Sequence, residues 1–135
     1  MLHRSLLLFL LSTVLVLQLS MLAAAAPLEK RGTSGKASFY NQGGATGACG
    51  QVHSDDDYIV ALGDAHYDGG KNCGRKIKVQ ANDGAGKGRS VVLTVADRCE
   101  SCEAGHLDCA VAPFDYLAAG KGQEVGIIAV SWELV

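Results

Sequence analysis

Proline is scarce in this chain, two in 135 residues, while glycine is abundant at seventeen. That balance suits short strands joined by tight turns. Basic residues hold no majority: 12 Lys and Arg stand against 14 Asp and Glu, a net charge of −2. Nucleic-acid binding needs cations that displace counterions from phosphates, so nucleic acid is set aside as a partner. Asn-x-Ser/Thr is missing as well, because Asn41, Asn72 and Asn82 all fail at the third position. Past residue 26 no second hydrophobic run is long enough to span a bilayer, and no membrane association is expected there. Internal repeats and low-complexity tracts are also wanting beyond the leader.

What is present begins with a short basic head, Met-Leu-His-Arg, followed by LLLFLLSTVLVLQLSMLAAAA. A charged start, an apolar run and a small-residue exit form the pattern of a secretory signal peptide, with cleavage expected near Ala26. Ser12, Thr13, Gln18 and Ser20 interrupt the run, which disfavours a membrane anchor. Lys30-Arg31 then precedes the flexible GTSG, so Pro27–Arg31 is read as a propeptide removed by a kexin-type protease. The expected mature domain is 32–135. Residues 1–31 hold three of the basic residues and one of the acidic ones, leaving nine against thirteen, a net of −4. A length of this order supports one compact domain with a modest core, expected to be a secreted monomer.

Lys36–Asn41 reads as a first strand and Asp57–Gly63 as a buried one. Arg75–Ala81 alternates, with Ile77, Val79 and Ala81 on one face. Arg89–Asp97 is β-branched, and the NDGAGKG between these two makes them a hairpin. Val111–Gly120 is the credible helix, and Gly126–Val135 a final strand. GAGKGRS is not a phosphate-binding loop, since Gly88 follows Lys87 and a strand follows the loop. Five or six short strands with little helix predict a small β-barrel rather than a sandwich.

The stretch ADRCESCEAGHLDCA, Ala96–Ala110, concentrates the chemistry. Cys99, Cys102, His106 and Cys109 are the residue types of a zinc site, but thiols exported to an oxidising compartment become disulfides. No metal and no cofactor are therefore expected. A redox dithiol needs a lowered thiol pKa, and Glu100 and Glu103 beside the pair oppose that. The structural reading leads. Five cysteines cannot all pair. Cys49 and Cys73 both sit beside glycines, and closing that loop is worth roughly 3 kcal/mol on the chain-entropy model. A second bridge draws on Cys99, Cys102 and Cys109. Either Cys99 pairs with Cys102 and leaves Cys109 over, or Cys109 replaces one of them.

ASFY, GACG, NCG, KIKV, SVVLTVADRC, HLD, YLA and VSWELV, spread over Lys36–Val135, resemble the small double-psi β-barrel proteins. That group includes rare-lipoprotein-A-like domains, barwin, the first domain of expansins and secreted fungal single-domain relatives, to which the chain is most similar. The resemblance implies a mainly β fold: a six-stranded, disulfide-stabilised barrel with one or two short helices and a groove across one side. Bonded cysteines at ACG and NCG in the expansin relatives support a Cys49–Cys73 bridge.

The same resemblance points to carboxylates. In expansin-related endoglucanases the aspartate of an H-F-D motif is the general acid, and Asp108 in His106-Leu107-Asp108 matches it. The general base of those enzymes follows a Tyr-containing strand, where this chain has Asn41 and Gln42. An amide cannot take a proton from water, which inverting hydrolysis requires. Asp55, Asp56 and Asp57 are read as a solvated loop. Asp97-Arg98 resembles the Asp-Arg of bacterial members, in which one acid/base can suffice for lytic transglycosylation. The plainer reading is that Asp97 accepts backbone hydrogen bonds at a strand end and pairs locally with Arg98. Tyr40, Asn41, Tyr58, His106 and Arg98 are expected to line the groove, with Tyr67 beside it and Trp132 in the core. The expectation is a secreted, non-catalytic barrel that binds cell-wall polysaccharide or a partner protein such as a protease. The alternative is a glycan-cleaving enzyme using Asp108, with or without Asp97. Asp97 and Asp108 are expected at one end of the groove, on a loop pinned by a cysteine bridge.

Overall fold

A computed structural model describes residues 32–135. The expected signal peptide and the Lys30-Arg31 processing site lie outside the described residues. Six strands follow one another as β1 (Thr33–Phe39), β2 (Ile59–Leu62), β3 (Lys76–Ala81), β4 (Ser90–Arg98), β5 (Leu107–Cys109) and β6 (Ile128–Leu134). They close into a barrel in the order β1-β5-β2-β4-β3-β6. The pairs β1·β5 and β2·β4 are parallel, and the other four are antiparallel.

The strand built most directly by its sequence is β3, which alternates exposed and buried at every residue. Its partner β4 returns through the glycine-rich loop in an antiparallel register from Gln80↔Ser90 to Lys76↔Thr94. That is the hairpin expected from the sequence. Gly86 in the loop needs its missing side chain, because a Cβ there would stand 1.8 Å from the Leu117 carbonyl oxygen. β5 is the strand the sequence did not announce, since three residues are too few to show a period.

The helices are short: α1 (Asp64–Tyr67), α2 (Val111–Leu117) and α3 (Gly122–Val125), where the sequence predicted one or two. Pro113 sits in the first turn of α2, where its missing N–H has no intrahelical partner to lose. Phe114 and Leu117 of α2 are buried and close one end of the core formed by Ile77, Val79, Leu93 and Val95. Phe39 packs on Phe114 at 5.1 Å between ring centroids. Trp132 is a core residue, as its strand pattern suggested, with its indole N–H donating to the Gly105 carbonyl at 2.9 Å. Among the described residues no helix is long and apolar enough to cross a membrane.

Cys49–Cys73 and Cys99–Cys102 are disulfides, and Cys109 is free and buried. The odd cysteine follows from strand parity. Leu107 and Cys109 face the core while Asp108 faces out, so the Cys109 thiol points away from the other two. Burial pushes that thiol's pKa far up, and it stays a neutral, apolar core group.

Candidate functional site

The two aspartates reach one face of the barrel by different routes. Asp108 is the middle residue of β5 and pairs with Ser38 of β1 on one side and Ala61 of β2 on the other. Asp97 lies near the end of β4, and regular alternation from Val95 would turn it into the core. A β-bulge prevents this. Val60 pairs with Val95, but Ala61 pairs with Asp97, so Ala96 is an extra residue in β4. The added residue flips the parity and aims Asp97 outward. Ser38, Asp108, Ala61 and Asp97 then form one row across four adjacent strands.

Each carboxylate is held differently. Asp97 is the more heavily bonded: Oδ1 accepts the Ala48 amide at 2.7 Å and the Arg98 amide at 2.9 Å, and Oδ2 accepts the Tyr40 hydroxyl at 2.9 Å. The loop that brings Ala48 in depends on Gly47, where a Cβ would stand 2.7 Å from the Ala96 carbonyl oxygen. Asp108 is freer. Its Oδ1 accepts the Ser38 hydroxyl at 3.0 Å, and that hydroxyl also meets His106 Nε2 at 2.7 Å. Burial is the main cause raising the Asp108 carboxyl above the usual carboxylate range, and the charge of Asp97 adds to it. The Ser38 bond and His106 oppose that shift. Tyr40, which follows β1, has its phenol pushed up by burial and by both aspartate charges, so it remains a hydrogen-bond donor. The half-buried Cys99–Cys102 bridge lies against this row, with both sulfurs and an Asp108 oxygen within 4.8 Å of one another.

The structure therefore brings Tyr40, Asp97, Asp108 and His106 together beside the bridge, but Asp97 and Asp108 stand in β4 and β5 and not on the pinned loop expected to carry them, because strand pairing extends to Arg98 and resumes at Leu107. Three other expectations are corrected. The Arg98 guanidinium does not pair with the Asp97 carboxylate, which takes only the Arg98 backbone amide. Its guanidinium grips Asp64 at 2.6 and 3.0 Å and reaches Glu100 at 3.2 Å. The Arg98 bond lowers the Asp64 carboxyl instead. Together with Tyr67 and Gly69 this pair lines a separate cavity of about 220 Å³. Tyr58 precedes β2, three residues from Ala61, so it is exposed about 10 Å away along the chain and outside the row. The acidic run is not uniformly solvated either. Asp55 is half-buried and its Oδ1 accepts the Gln42 amide at 2.6 Å, which ties the loop after Tyr40 down.

Asn41 is exposed, and the Nε2 of Gln42 is buried with no hydrogen-bond partner. Neither supplies a carboxylate where an inverting hydrolase carries its base. Ser38 and Ala61 belong to the site and were not read from the sequence. Ser38 shares parity with Tyr40 in KASFY, which was the available signal. Ala61 carried none, because its place depends on pairing with two distant strands.

No family model matches the chain. It is similar to a putative ripening-related protein 6 of Oryza sativa subsp. japonica, 36% identical over 95 residues, covering 67% of this chain and 54% of that protein. Kiwellin of Actinidia chinensis var. chinensis is 32% identical over 104 residues, covering 68% and 47%. The chain spans about half the length of these curated relatives. They are plant proteins, and the similarity to fungal forms read from the sequence finds no support in them. Among solved structures, the expansin of Clavibacter michiganensis matches with a TM-score of 0.63 at 32% identity, over 76% of this chain and 50% of that one. A mutant of that expansin has been solved in complex with cellohexaose. The Streptomyces papain inhibitor matches with a TM-score of 0.60 at 25% identity, over 81% and 97%. The fold is the expansin-like double-psi β-barrel.

Proposed function

We propose that this barrel is a secreted, non-catalytic binding protein whose outer-face row takes a cell-wall polysaccharide chain. One observation carries the reading: Ser38, Asp108 and Asp97 present fixed polar groups from three strands of one row, with Ala61 of the fourth between the two aspartates and the Tyr40 hydroxyl bonded to Asp97. Sugar hydroxyls are matched by such a row of donors and acceptors. Similarity to an expansin solved with cellohexaose supports a β-linked glucan as the first ligand to try. Two disulfides suit an extracellular compartment.

Chemistry beyond binding lacks a base. Asp97 is the other carboxylate of the row, and three donors occupy it, so it is a poor acceptor for a proton from water. The second reading is cleavage with Asp108 as general acid, which its raised carboxyl favours. Similarity to a papain inhibitor along nearly that protein's whole length favours a protease as the protein partner, if the ligand is not a glycan.

Retention on cellulose, chitin and peptidoglycan, calorimetry with cellohexaose, and inhibition of papain test these readings side by side. Wild type is expected to bind one polysaccharide. Tyr40→Phe and Asp108→Asn should each weaken it about fivefold, the worth of roughly one hydrogen bond, with no sugar released. Turnover well above background that disappears in Asp108→Asn establishes the enzyme instead. Binding to papain alone moves the proposal to a protein ligand.

A further inference from the structure

We propose that reduction of the Cys99–Cys102 disulfide converts this corner of the barrel into a zinc site, with the two thiolates and Asp108 as ligands. The inference goes beyond the binding reading and does not rest on it. Its basis is the coincidence of three ligand atoms, two sulfurs and a carboxylate oxygen, of which polysaccharide binding calls only on the last. Cys99 Sγ, Cys102 Sγ and a carboxylate oxygen of Asp108 all lie within 4.8 Å of one another. In tetrahedral zinc sites, with Zn–S about 2.3 Å and Zn–O about 2.1 Å, neighbouring ligand atoms stand about 3.6 to 3.8 Å apart. Asp108 is thus already in range, and the sulfurs have only to part from bonding distance.

The backbone holds each ligand in place. The Cys99 amide donates to the Leu62 carbonyl at 2.8 Å, and the Cys102 amide turns back to the Cys99 carbonyl at 3.3 Å. Asp108 is fixed in β5 between β1 and β2. Its Oδ1 is oriented by the Ser38 hydroxyl, which is itself engaged by His106. Metal-ligating carboxylates are commonly supported in this way by outer hydrogen bonds. No hydrogen bond from a described residue occupies Oδ2, which leaves that oxygen for a cation. Two thiolates and one carboxylate favour zinc over the hard cations magnesium and calcium, and a water completes the fourth position.

The chemistry balances with a dithiol as reductant. It closes to its own disulfide and hands two electrons and two protons to the sulfurs of Cys99 and Cys102. Zinc then displaces the two thiol protons, which leave to the buffer. While the bridge is closed, the sulfurs are not ligands and Asp108 stays with the polar row. The bridge is therefore a lock on the metal site.

The test reduces wild type with a phosphine, which becomes its oxide as water supplies the oxygen and two protons. Differential alkylation identifies the opened cysteines, and zinc is counted after gel filtration by a colorimetric chelator. Expected are one zinc per chain with Cys99 and Cys102 open, none in oxidised protein, and at least tenfold weaker retention in Asp108→Asn. Cys109→Ala should retain zinc fully. Folded, reduced protein without zinc overturns the proposal, and so does equal retention by Asp108→Asn. If reduction melts the barrel by circular dichroism, the Cys99→His, Cys102→His double variant carries the test, because it keeps Cys49–Cys73 in oxidising buffer. Zinc bound there and lost on adding Asp108→Asn supports the site, and no zinc overturns it.

Discussion

The two halves of this barrel are built to different rules. The wall made by β3, β4 and β6 is antiparallel throughout, and its pairings run five residues or more without a break. Outward positions there are polar apart from Val92, as at Lys78, Gln80, Ser131 and Glu133, and inward ones are Ile77, Val79 and Val130. The half made by β1, β5, β2 and the end of β4 holds both parallel pairs and the bulge at Ala96, with both disulfides beside it. Every paired carboxylate of the candidate site lies in that second half. Regular pairing gives one half stability from period-two burial. The other half departs from regularity wherever a side chain has to be aimed, and covalent bridges and side-chain hydrogen bonds replace what the ladder loses.

Breaking the regular wall should have the largest effect on stability and the smallest on recognition. Leu93→Ala empties a fully buried position of β4 and should cost about 2 to 5 kcal/mol, read from denaturant unfolding. Ligand affinity measured well below the new midpoint should stay within twofold. A large loss of affinity at full folding would show that the two halves are mechanically coupled.

The bridges sharpen the comparison at the next level. Cys49→Ala with Cys73→Ala opens a loop of sequence separation 24, worth roughly 3 to 3.5 kcal/mol on the chain-entropy model. Cys99→Ala with Cys102→Ala opens one of separation 3, worth roughly 2 kcal/mol. The second pair should nevertheless affect binding more, because it lies against Asp108. Equal effects on affinity from both pairs would argue that the bridges serve folding alone.

The smallest effect tests the electrostatics of the row. Burial raises the Asp108 carboxyl, so folding favours its protonated form. Its contribution is fully present below the unfolded-state pKa and is lost as pH rises through the higher folded value. The Asn variant has no such loss. The Tm of Asp108→Asn relative to wild type should therefore climb between acid and neutral pH. A relative Tm that falls instead would mean that Ser38 and His106 stabilise the ionised carboxylate by more than burial disfavours it.

Much of the regular half was legible from residue order. Alternation in Lys76–Ala81 marked a half-buried strand, and the Asn-Asp-Gly turn with its glycines marked a hairpin, because both signals act between near neighbours. The VAPF stretch was recognisable as a helix for the same reason. β5 and α3 were not, at three and four residues, since too little chain remains to display a period. The site was legible as a set of residue types but not as an arrangement. Arg98 was assigned to its sequence neighbour, yet its partner is Asp64, thirty-four positions away. Asp64 still has free lone pairs at the start of α1, whereas three donors already hold Asp97.

The sequence alone determined that five cysteines leave one over, that the inward positions of β3 and β4 make one apolar layer, and that no carboxylate follows Tyr40 directly. These depend on composition, parity and adjacency, which are properties of the unfolded chain. Only the tertiary structure decided that Cys109 is the one left over, because β5 turns it into the core. Only closure of the barrel set Ala61 between Asp97 and Asp108, and only the extra residue at Ala96 turned Asp97 outward. The Tyr40 hydroxyl meets Asp97 across 57 positions of chain. Side-chain direction at a bulge depends on how many residues the neighbouring strand offers opposite it, and that count exists only once the strands have paired.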